Sequence, residues 1–152
     1  ASHVIVTSYV FKDGRISWEN LNKMKETVGK EKLVLDLSCR RKDGKYYIVT
    51  DRWQKFTDVT MTLDIMKELG SYCNEFLVHA VDVEGKACGV ETELASMLGE
   101  YKGNPVTYAG GVGSMKDIED LRKYGKDRLD VTVGSALDLF GGNISFSELI
   151  KL

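Results

Sequence analysis

Residues 105–114 read Pro-Val-Thr-Tyr-Ala-Gly-Gly-Val-Gly-Ser, a short apolar run that ends in glycines and a serine. Residues 129–142, Leu-Asp-Val-Thr-Val-Gly-Ser-Ala-Leu-Asp-Leu-Phe-Gly-Gly, repeat this pattern and add a short helical segment closed by two glycines. Glycine permits close approach to the backbone, and free N–H groups at the start of a helix attract an anion. The two turns therefore predict a phosphate site at Gly110, Gly111, Gly134 and Ser135. The alternative is that these glycines only form tight turns.

The rest of the chain alternates between strand and helix patterns. Five short runs are apolar almost throughout, which is typical of strands buried on both faces of a parallel sheet. These runs cover residues 3–10, 32–37, 75–81, 105–109 and 129–133. Helical spacing predicts helices over residues 18–28, 59–69, 90–98, 115–124 and 146–152. Capping preferences predict N-caps at Ser17 and Ser114 and left-handed glycines after helices at Gly29, Gly70 and Gly125. This order predicts an α/β fold.

One long insertion, residues 38–58, separates the second predicted strand from its helix. Asp43-Gly44 between β-rich flanks predicts a hairpin turn. Long loops inside a compact unit are usually functional, and this one follows the carboxyl end of a strand, where α/β proteins place their ligands. The insertion is therefore predicted to contribute to a binding site.

Composition limits the class of protein. The 152 residues are 43% hydrophobic and 29% charged with a net charge of -2, which predicts one globular domain over residues 1–152. The charge gives no reason to expect a nucleic-acid partner, and no apolar run is long enough to span a membrane. The three cysteines lack metal-ligand spacing, so no metal site is expected. Because an apolar strand begins at residue 3, we expect that a preceding segment has been removed.

Asp36 is the first candidate for catalysis. It stands near the carboxyl end of an apolar strand, where an unpaired carboxylate is costly. A partly buried carboxyl group is suited to proton transfer. The alternative is a structural carboxylate that caps the backbone or pairs with Arg40. Arg40 is otherwise placed to reach a substrate phosphate.

Five segments together resemble the plant- and fungus-type phosphoribosylformimino-aminoimidazole-carboxamide ribotide isomerases of histidine biosynthesis. They are VIVTS (4–8), LDLSCR (35–40), HAVDVEG (79–85), YAGG (108–111) and GSALDLFGGN (134–143). The resemblance covers essentially the whole chain. It implies a (β/α)8 TIM barrel that isomerises a bis-phosphorylated aminoaldose to a ketose, an Amadori rearrangement, without a metal or redox cofactor.

The same resemblance places the five predicted strands as strands four to eight of an incomplete barrel. The family uses one aspartate on the first strand and one on the fifth. Asp36 matches the fifth-strand aspartate, the proposed proton donor that opens the ribose ring, whereas the first-strand base has no counterpart. We therefore expect an isomerase of which this chain alone is inactive or nearly so.

Further site residues follow from the resemblance. It implies that Trp53 stacks on the imidazole of the substrate and that Thr7 and Ser8 bind the phosphate opposite the glycine loops. His79 stands where bacterial members have threonine, and either takes over a catalytic role or is a structural histidine of the barrel. The next residue, Ala80, replaces a carboxylate of those members.

Two alternatives to the isomerase remain open from sequence. One is the cyclase of the same pathway, which shares the barrel, although the Trp53 loop favours the isomerase. The other is a non-catalytic phosphate-binding half-barrel whose open edges, near residues 3–10 and 129–133, self-associate or pair with a partner. The expected location is intracellular and soluble, in the cytoplasm of a fungus or the plastid of a plant.

Overall fold

A five-stranded parallel sheet organises the chain in the computed structural model, which describes all 152 residues. Numbered in chain order among all the strands of the molecule, its members are β1 Val4–Val6, β4 Leu33–Asp36, β8 Glu75–His79, β9 Val106–Ala109 and β10 Leu129–Thr132. They stand in that order in the sheet, and each is parallel to its neighbours. The predicted α/β fold with a parallel sheet is confirmed, and β1 and β10 are its two edges.

Helices connect the strands as the apolar spacing predicted. They are α1 Trp18–Val28, α2 Leu63–Gly70, α3 Thr92–Glu100, α4 Met115–Tyr124 and α5 Phe146–Leu149. The bounds of α1 and α4 are those predicted, and Ser17 and Ser114 cap them through side-chain oxygens. The predicted start of α2 at residue 59 is wrong, because residues 59–60 belong to a strand. No helix combines the length and the apolar character that a membrane crossing requires.

Of the three glycines that were predicted to follow helices in the left-handed conformation, Gly70 and Gly125 do not adopt it. Gly29 follows α1 with the predicted positive φ, 89°, although its ψ of 141° differs from that of a left-handed helical residue. Gly70 is the last residue of α2, and Gly125 has φ -78°. A side chain on Gly70 would lie 2.3 Å from Oδ1 of Asn104, and one on Gly125 would lie 2.6 Å from the carbonyl oxygen of Leu121. Close packing against the backbone therefore requires glycine at position 125, whereas at position 70 the close atoms are side-chain ends.

The two faces of the sheet differ in burial. Leu35, Phe76 and Tyr108 lie on the face that packs against the helices, and all three are fully buried. Strand register places Asp36 and His79 on the opposite face. Burial on both faces was predicted, but it fails at the edge strand β1, where Ile5 on this opposite face is 56% exposed and Val4 on the helix face is 42% exposed. The strand has a neighbour in the sheet on one side only.

The insertion after β4 folds into a second sheet. It is a three-stranded antiparallel ribbon of β5 Cys39–Lys42, β6 Lys45–Thr50 and β7 Lys55–Thr60. Asp43 and Gly44 both have positive φ, which confirms the predicted hairpin turn. A smaller hairpin, β2 Phe11–Lys12 and β3 Arg15–Ile16, follows β1, and its Gly14 carbonyl accepts a 2.8 Å hydrogen bond from the Asp58 amide of β7. Ribbon and hairpin thus stand side by side at the carboxyl ends of β1 and β4.

Candidate active site

A carboxylate and an imidazole meet at the carboxyl ends of two neighbouring strands. Asp36 ends β4 and His79 ends β8, and His79 Nδ1 lies 3.2 Å from Asp36 Oδ1. Their side chains are 10% and 22% exposed, so water screens the pair only partly. The hydrogen bond to Asp36 raises the pKa of His79, against a smaller lowering by burial, and the charge of Glu84 raises it further. The pair can hold a proton at the carboxyl end of the sheet.

Ser38 joins this pair to the ribbon. Its hydroxyl donates to Asp36 Oδ1 at 3.0 Å and accepts from Trp53 Nε1 at 3.2 Å. The Trp53 ring also lies 6.2 Å from the His79 ring, centroid to centroid, at an interplanar angle of 42°. The structure therefore brings together the sequence-predicted residues Asp36, Trp53 and His79, with Ser38 as the connection.

Trp53 is presented by an unusual turn. Asp51, Arg52 and Trp53 all have φ between 53° and 69°, the left-handed region, and the Gln54 amide closes the turn on the Asp51 carbonyl at 3.2 Å. L residues other than glycine adopt this conformation at a cost of about 1–2 kcal/mol each. Trp53 remains 40% exposed, so part of the residue stays accessible to a ligand.

A cavity of about 440 Å³ opens between the ribbon, the hairpin and β4. Its lining comprises Thr7, Ser8, Phe11, Asp36, Ser38, Val49, Thr50, Arg52 and Trp53. The volume is in the range of small-molecule sites. The predicted residues Thr7 and Ser8 thus share one cavity with Asp36 and Trp53. A second cavity of about 470 Å³ adjoins it and adds the amines of Lys12 and Lys55.

Arg40 does not pair with Asp36. Its Nε lies 3.0 Å from Asp82 Oδ1, and its guanidinium stacks over the Phe56 ring at 5.4 Å. Asp82 Oδ2 also accepts from the Arg41 amide at 2.8 Å. The alternative of an Asp36–Arg40 ion pair is therefore wrong, because Asp82 holds the guanidinium. Asp82 ties the ribbon to the turn after β8.

The two glycine loops differ from each other. Gly110 and Gly111 have positive φ, and added side chains would lie 2.7 Å from the Ala80 carbonyl oxygen and 2.1 Å from the Gly89 carbonyl oxygen. Close packing against residues 80–89 is thus sufficient to require glycine at both positions. Gly134 and Ser135 follow β10 and are exposed, and nothing lies within 4 Å of the side-chain position on Gly134. The side-chain position is therefore filled at Gly110 and Gly111 and open at Gly134, and the predicted phosphate contacts of both loops stay predictions.

The start of α4 already holds a carboxylate. Asp117 Oδ2 accepts from the amides of Gly113 and Ser114, both at 2.9 Å, and from the Ser114 hydroxyl. The carboxylate of the same helix therefore occupies these two N–H groups at its start. The predicted short helix after the second loop is confirmed as a 3₁₀ turn over Asp138–Phe140.

Sequence reasoning missed Glu84 and Arg52. Glu84 Oε2 is the only buried side-chain polar atom without a hydrogen-bond partner, and it lies 3.2 Å from the side-chain position on Gly110. Its place directly before Gly85, in a turn at the carboxyl end of a strand, was the available signal. Arg52 lines both cavities, and its place next to Trp53 was the corresponding signal.

Comparison with known proteins identifies a consistent set of similar sequences. The family described as histidine biosynthesis protein matches residues 1–145. A chloroplastic isomerase of Medicago truncatula, named for an imidazole-4-carboxamide substituted with phosphoribosyl groups, is 57% identical over 150 residues. Isomerases of the same name from Yarrowia lipolytica and Saccharomyces cerevisiae are 42% and 41% identical. The match covers 99%, 99% and 95% of this chain but 48%, 61% and 58% of these relatives, so the chain spans about half to three fifths of their length.

Proposed function

Because the chain belongs to the histidine biosynthesis protein family, we propose that it forms part of an aldose–ketose isomerase acting on a bis-phosphorylated imidazole-carboxamide aminoaldose. The observation that carries the proposal is the Asp36–His79 pair beside the ring of Trp53. An Amadori rearrangement needs a proton donor at the sugar ring oxygen. Binding of this substrate also needs a surface against which its imidazole ring can stack. The pair supplies the first, and the indole supplies the second.

The proposed architecture is a (β/α)8 barrel in which β1, β4, β8, β9 and β10 are strands four to eight. The parallel order of the strands and their two open edges support this assignment. The relatives are longer than this chain, which leaves length for three further strands in a complete protein. In the complete barrel a carboxylate from the first strand would act as the base. Without it we expect the chain to bind the substrate but not to isomerise it.

The proposed binding mode spans the mouth of the barrel. Thr7 and Ser8 line the cavity next to Trp53 and would bind one phosphate. Gly134 and Ser135, on the far edge strand, would bind the other, with Gly110 and Gly111 shaping the neighbouring turn. Two phosphate sites on opposite sides suit an extended substrate with a phosphate at each end. Arg40 is held by Asp82, so the closer guanidinium for a substrate is that of Arg52.

The cyclase of the same pathway is the alternative enzyme. The relatives compared above bear isomerase names, so the cyclase is not favoured. The chloroplastic relative supports a plastid location if the source is a plant, and a fungal source would place the protein in the cytoplasm.

The test is turnover of the bis-phosphorylated aminoaldose by the full-length protein and by its Asp36→Asn variant. We expect turnover to fall by about 10²-fold or more in the variant while substrate affinity stays within a few fold. Asp43→Asn is the matched control, because Asp43 is exposed at the tip of the ribbon and asparagine tolerates its positive φ. Absence of turnover in the unmodified full-length protein would refute the proposal, and near-normal turnover in Asp36→Asn would remove Asp36 from the mechanism.

A further inference from the structure

We propose that Asp82 is a positioning residue of the isomerase site, which holds the ribbon in the place where Trp53 can stack on the substrate. Asp82 acts through Arg40, and it belongs to the lining of neither cavity described above. The proposal deepens the proposed isomerase function and rests on it, because the stacking role of Trp53 is taken from that function.

The first step is the edge of the ribbon that faces the turn after β8. Strand β5 has a ribbon neighbour on one side only, so amides on its other side need acceptors from elsewhere. At the start of the strand, Cys39 forms a single bridge with Ala80. Farther along, Asp82 Oδ2 accepts a hydrogen bond from the Arg41 amide at 2.8 Å. Asp82 therefore extends the attachment of β5 beyond that bridge.

The second step is the side chain of Arg40, the residue before this amide. Its Nε donates to Asp82 Oδ1 at 3.0 Å, so the two oxygens of one carboxylate bind a guanidinium and a backbone amide. The side chains of Arg40 and Asp82 are 39% and 33% exposed, so water screens their charges only partly. A charge-assisted bond next to a backbone bond fixes both the position and the direction of β5.

The third step carries this restraint across the ribbon to Trp53. The guanidinium of Arg40 lies over the ring of Phe56, 5.4 Å from its centroid, and Phe56 belongs to β7. The turn over residues 51–54, which presents Trp53, leads directly into the same strand. One line of contacts therefore runs from Asp82 through Arg40 and Phe56 to the strand next to the indole.

Two other side-chain contacts join the ribbon to the segment after β8, and neither includes a residue of β7. Arg41 pairs with Glu93 at 2.9 Å, but these side chains are 44% and 65% exposed, so solvent screens the pair. The Tyr46 hydroxyl donates to Glu91 Oε2 at 2.8 Å, close to the hairpin turn. These contacts restrain the tip of the ribbon, whereas Asp82 restrains the strand that carries Trp53.

The other role open to Arg40 is direct contact with a substrate phosphate, and the two roles predict different results. If Arg40 binds the substrate itself, removal of the Asp82 charge frees the guanidinium and affinity is kept or improved. If Asp82 positions the ribbon through Arg40, loss of either side chain has the same effect, and loss of both adds little to it.

The first test is hydrogen exchange of the Trp53 indole N–H in the 152-residue chain labelled with ¹⁵N-tryptophan. Only Trp18 and Trp53 contribute, and Trp18→Phe assigns the signals. The Trp53 N–H donates to Ser38, so we expect its exchange to accelerate in Asp82→Asn and in Arg40→Gln while the Trp18 signal stays unchanged. Unchanged exchange in Asp82→Asn would overturn the proposal. If that variant does not fold, Arg40→Gln decides in the same way.

The second test is the steady-state kinetics of the full-length protein and of Asp82→Asn, Arg40→Gln and the double variant. Stacking holds the substrate and the transition state alike, so its loss raises KM and leaves kcat nearly unchanged. We expect KM to rise by about 10-fold in each variant, the scale of one ring stacked on an aromatic side chain. The double variant should show no further rise.

Tyr46→Phe and Asp120→Asn are the controls. The first removes the hydrogen bond at the tip of the ribbon, and the second breaks the pair of an aspartate on α4 that is 27% exposed. Both should leave KM within about 2-fold. A rise in Arg40→Gln without one in Asp82→Asn, additive rises in the double variant, or an equal rise in Tyr46→Phe would overturn the proposal. Failure of the unmodified full-length protein to turn over would refute the isomerase function instead, with the exchange result unaffected.

Discussion

At the scale of single residues, one buried hydroxyl holds two functional groups in place. Ser38 is 6% exposed and links the carboxylate of Asp36 to the indole of Trp53. No feature of the sequence singled it out, because serine after a strand is common and its two partners lie two and fifteen residues away. Through this link, the position of the Trp53 ring depends on the position of the Asp36–His79 pair.

We expect Ser38→Ala to lower kcat of the full-length protein by about 10-fold and to destabilise the fold by about 1–3 kcal/mol, since a buried hydrogen bond to a charged group is lost. The emission of Trp53 should change as well, measured in a Trp18→Phe background. Ser71→Ala, which removes an exposed hydroxyl that bonds only to the Glu68 carbonyl, is the control. Unchanged emission and turnover would mean that the hydroxyl positions neither group.

The raised pKa of His79 also predicts a pH dependence of stability. An unfolded histidine titrates near about 6.5. Because the folded pKa is higher, the stabilisation is complete below about pH 6.5 and is lost as the pH rises through the folded value. Urea unfolding at several pH values should therefore show the free energy of unfolding decreasing across this interval. His79→Gln should flatten the curve there, and an identical slope in the variant would assign it to another group.

At the scale of elements, the two glycine loops have separable roles. Gly111 packs against the Gly89 carbonyl with φ 79°, whereas Gly134 has open space around it. Gly111→Ala should therefore cost at least about 1 kcal/mol in the free energy of unfolding. Gly134→Ala should leave stability within about 0.5 kcal/mol and weaken substrate binding. Thermal unfolding and calorimetric titration of the full-length variants distinguish the two, and a stability loss of similar size in both would contradict the distinction.

Most of the strands and helices were predictable from sequence. Apolar runs found all five strands of the sheet, and the bounds of α1 and α4 agree because serine caps and apolar spacing coincide there. The hairpin β2–β3 was missed because each strand is two residues long. The third ribbon strand, β7, was read partly as helix because Val59 and Leu63 have helical spacing. Such errors arise where tertiary pairing decides between two compatible patterns.

The site was predictable to a similar extent. Asp36, His79 and Trp53 were each singled out, and they do lie together. The pairing of Arg40 with Asp82 joins residues 42 positions apart, and no local pattern encodes it. The burial of Glu84 and its lack of a hydrogen-bond partner required the structure, although its place before Gly85 was visible in the sequence.

At the scale of the whole molecule, the open edges of the sheet predict association. We expect the 152-residue chain to form concentration-dependent oligomers through β1 and β10, because their backbone groups are unpaired on one side. Ile5→Lys places a charge on the exposed face of β1 and should reduce the association in sedimentation velocity. Leu63→Lys, on a helix away from both edges, is the control. Equal association of both variants would place the contact elsewhere.

The strand order has a consequence for how the molecule is made. Each strand of the sheet pairs with the strand that precedes it in the sheet along the chain, from β1 through β10. Each of these pairings closes one strand–helix–strand unit and needs no strand that comes later in the chain. The sheet can therefore grow one strand at a time as the polypeptide leaves the ribosome, with the Asp36–His79 pair assembled before the last two strands have emerged.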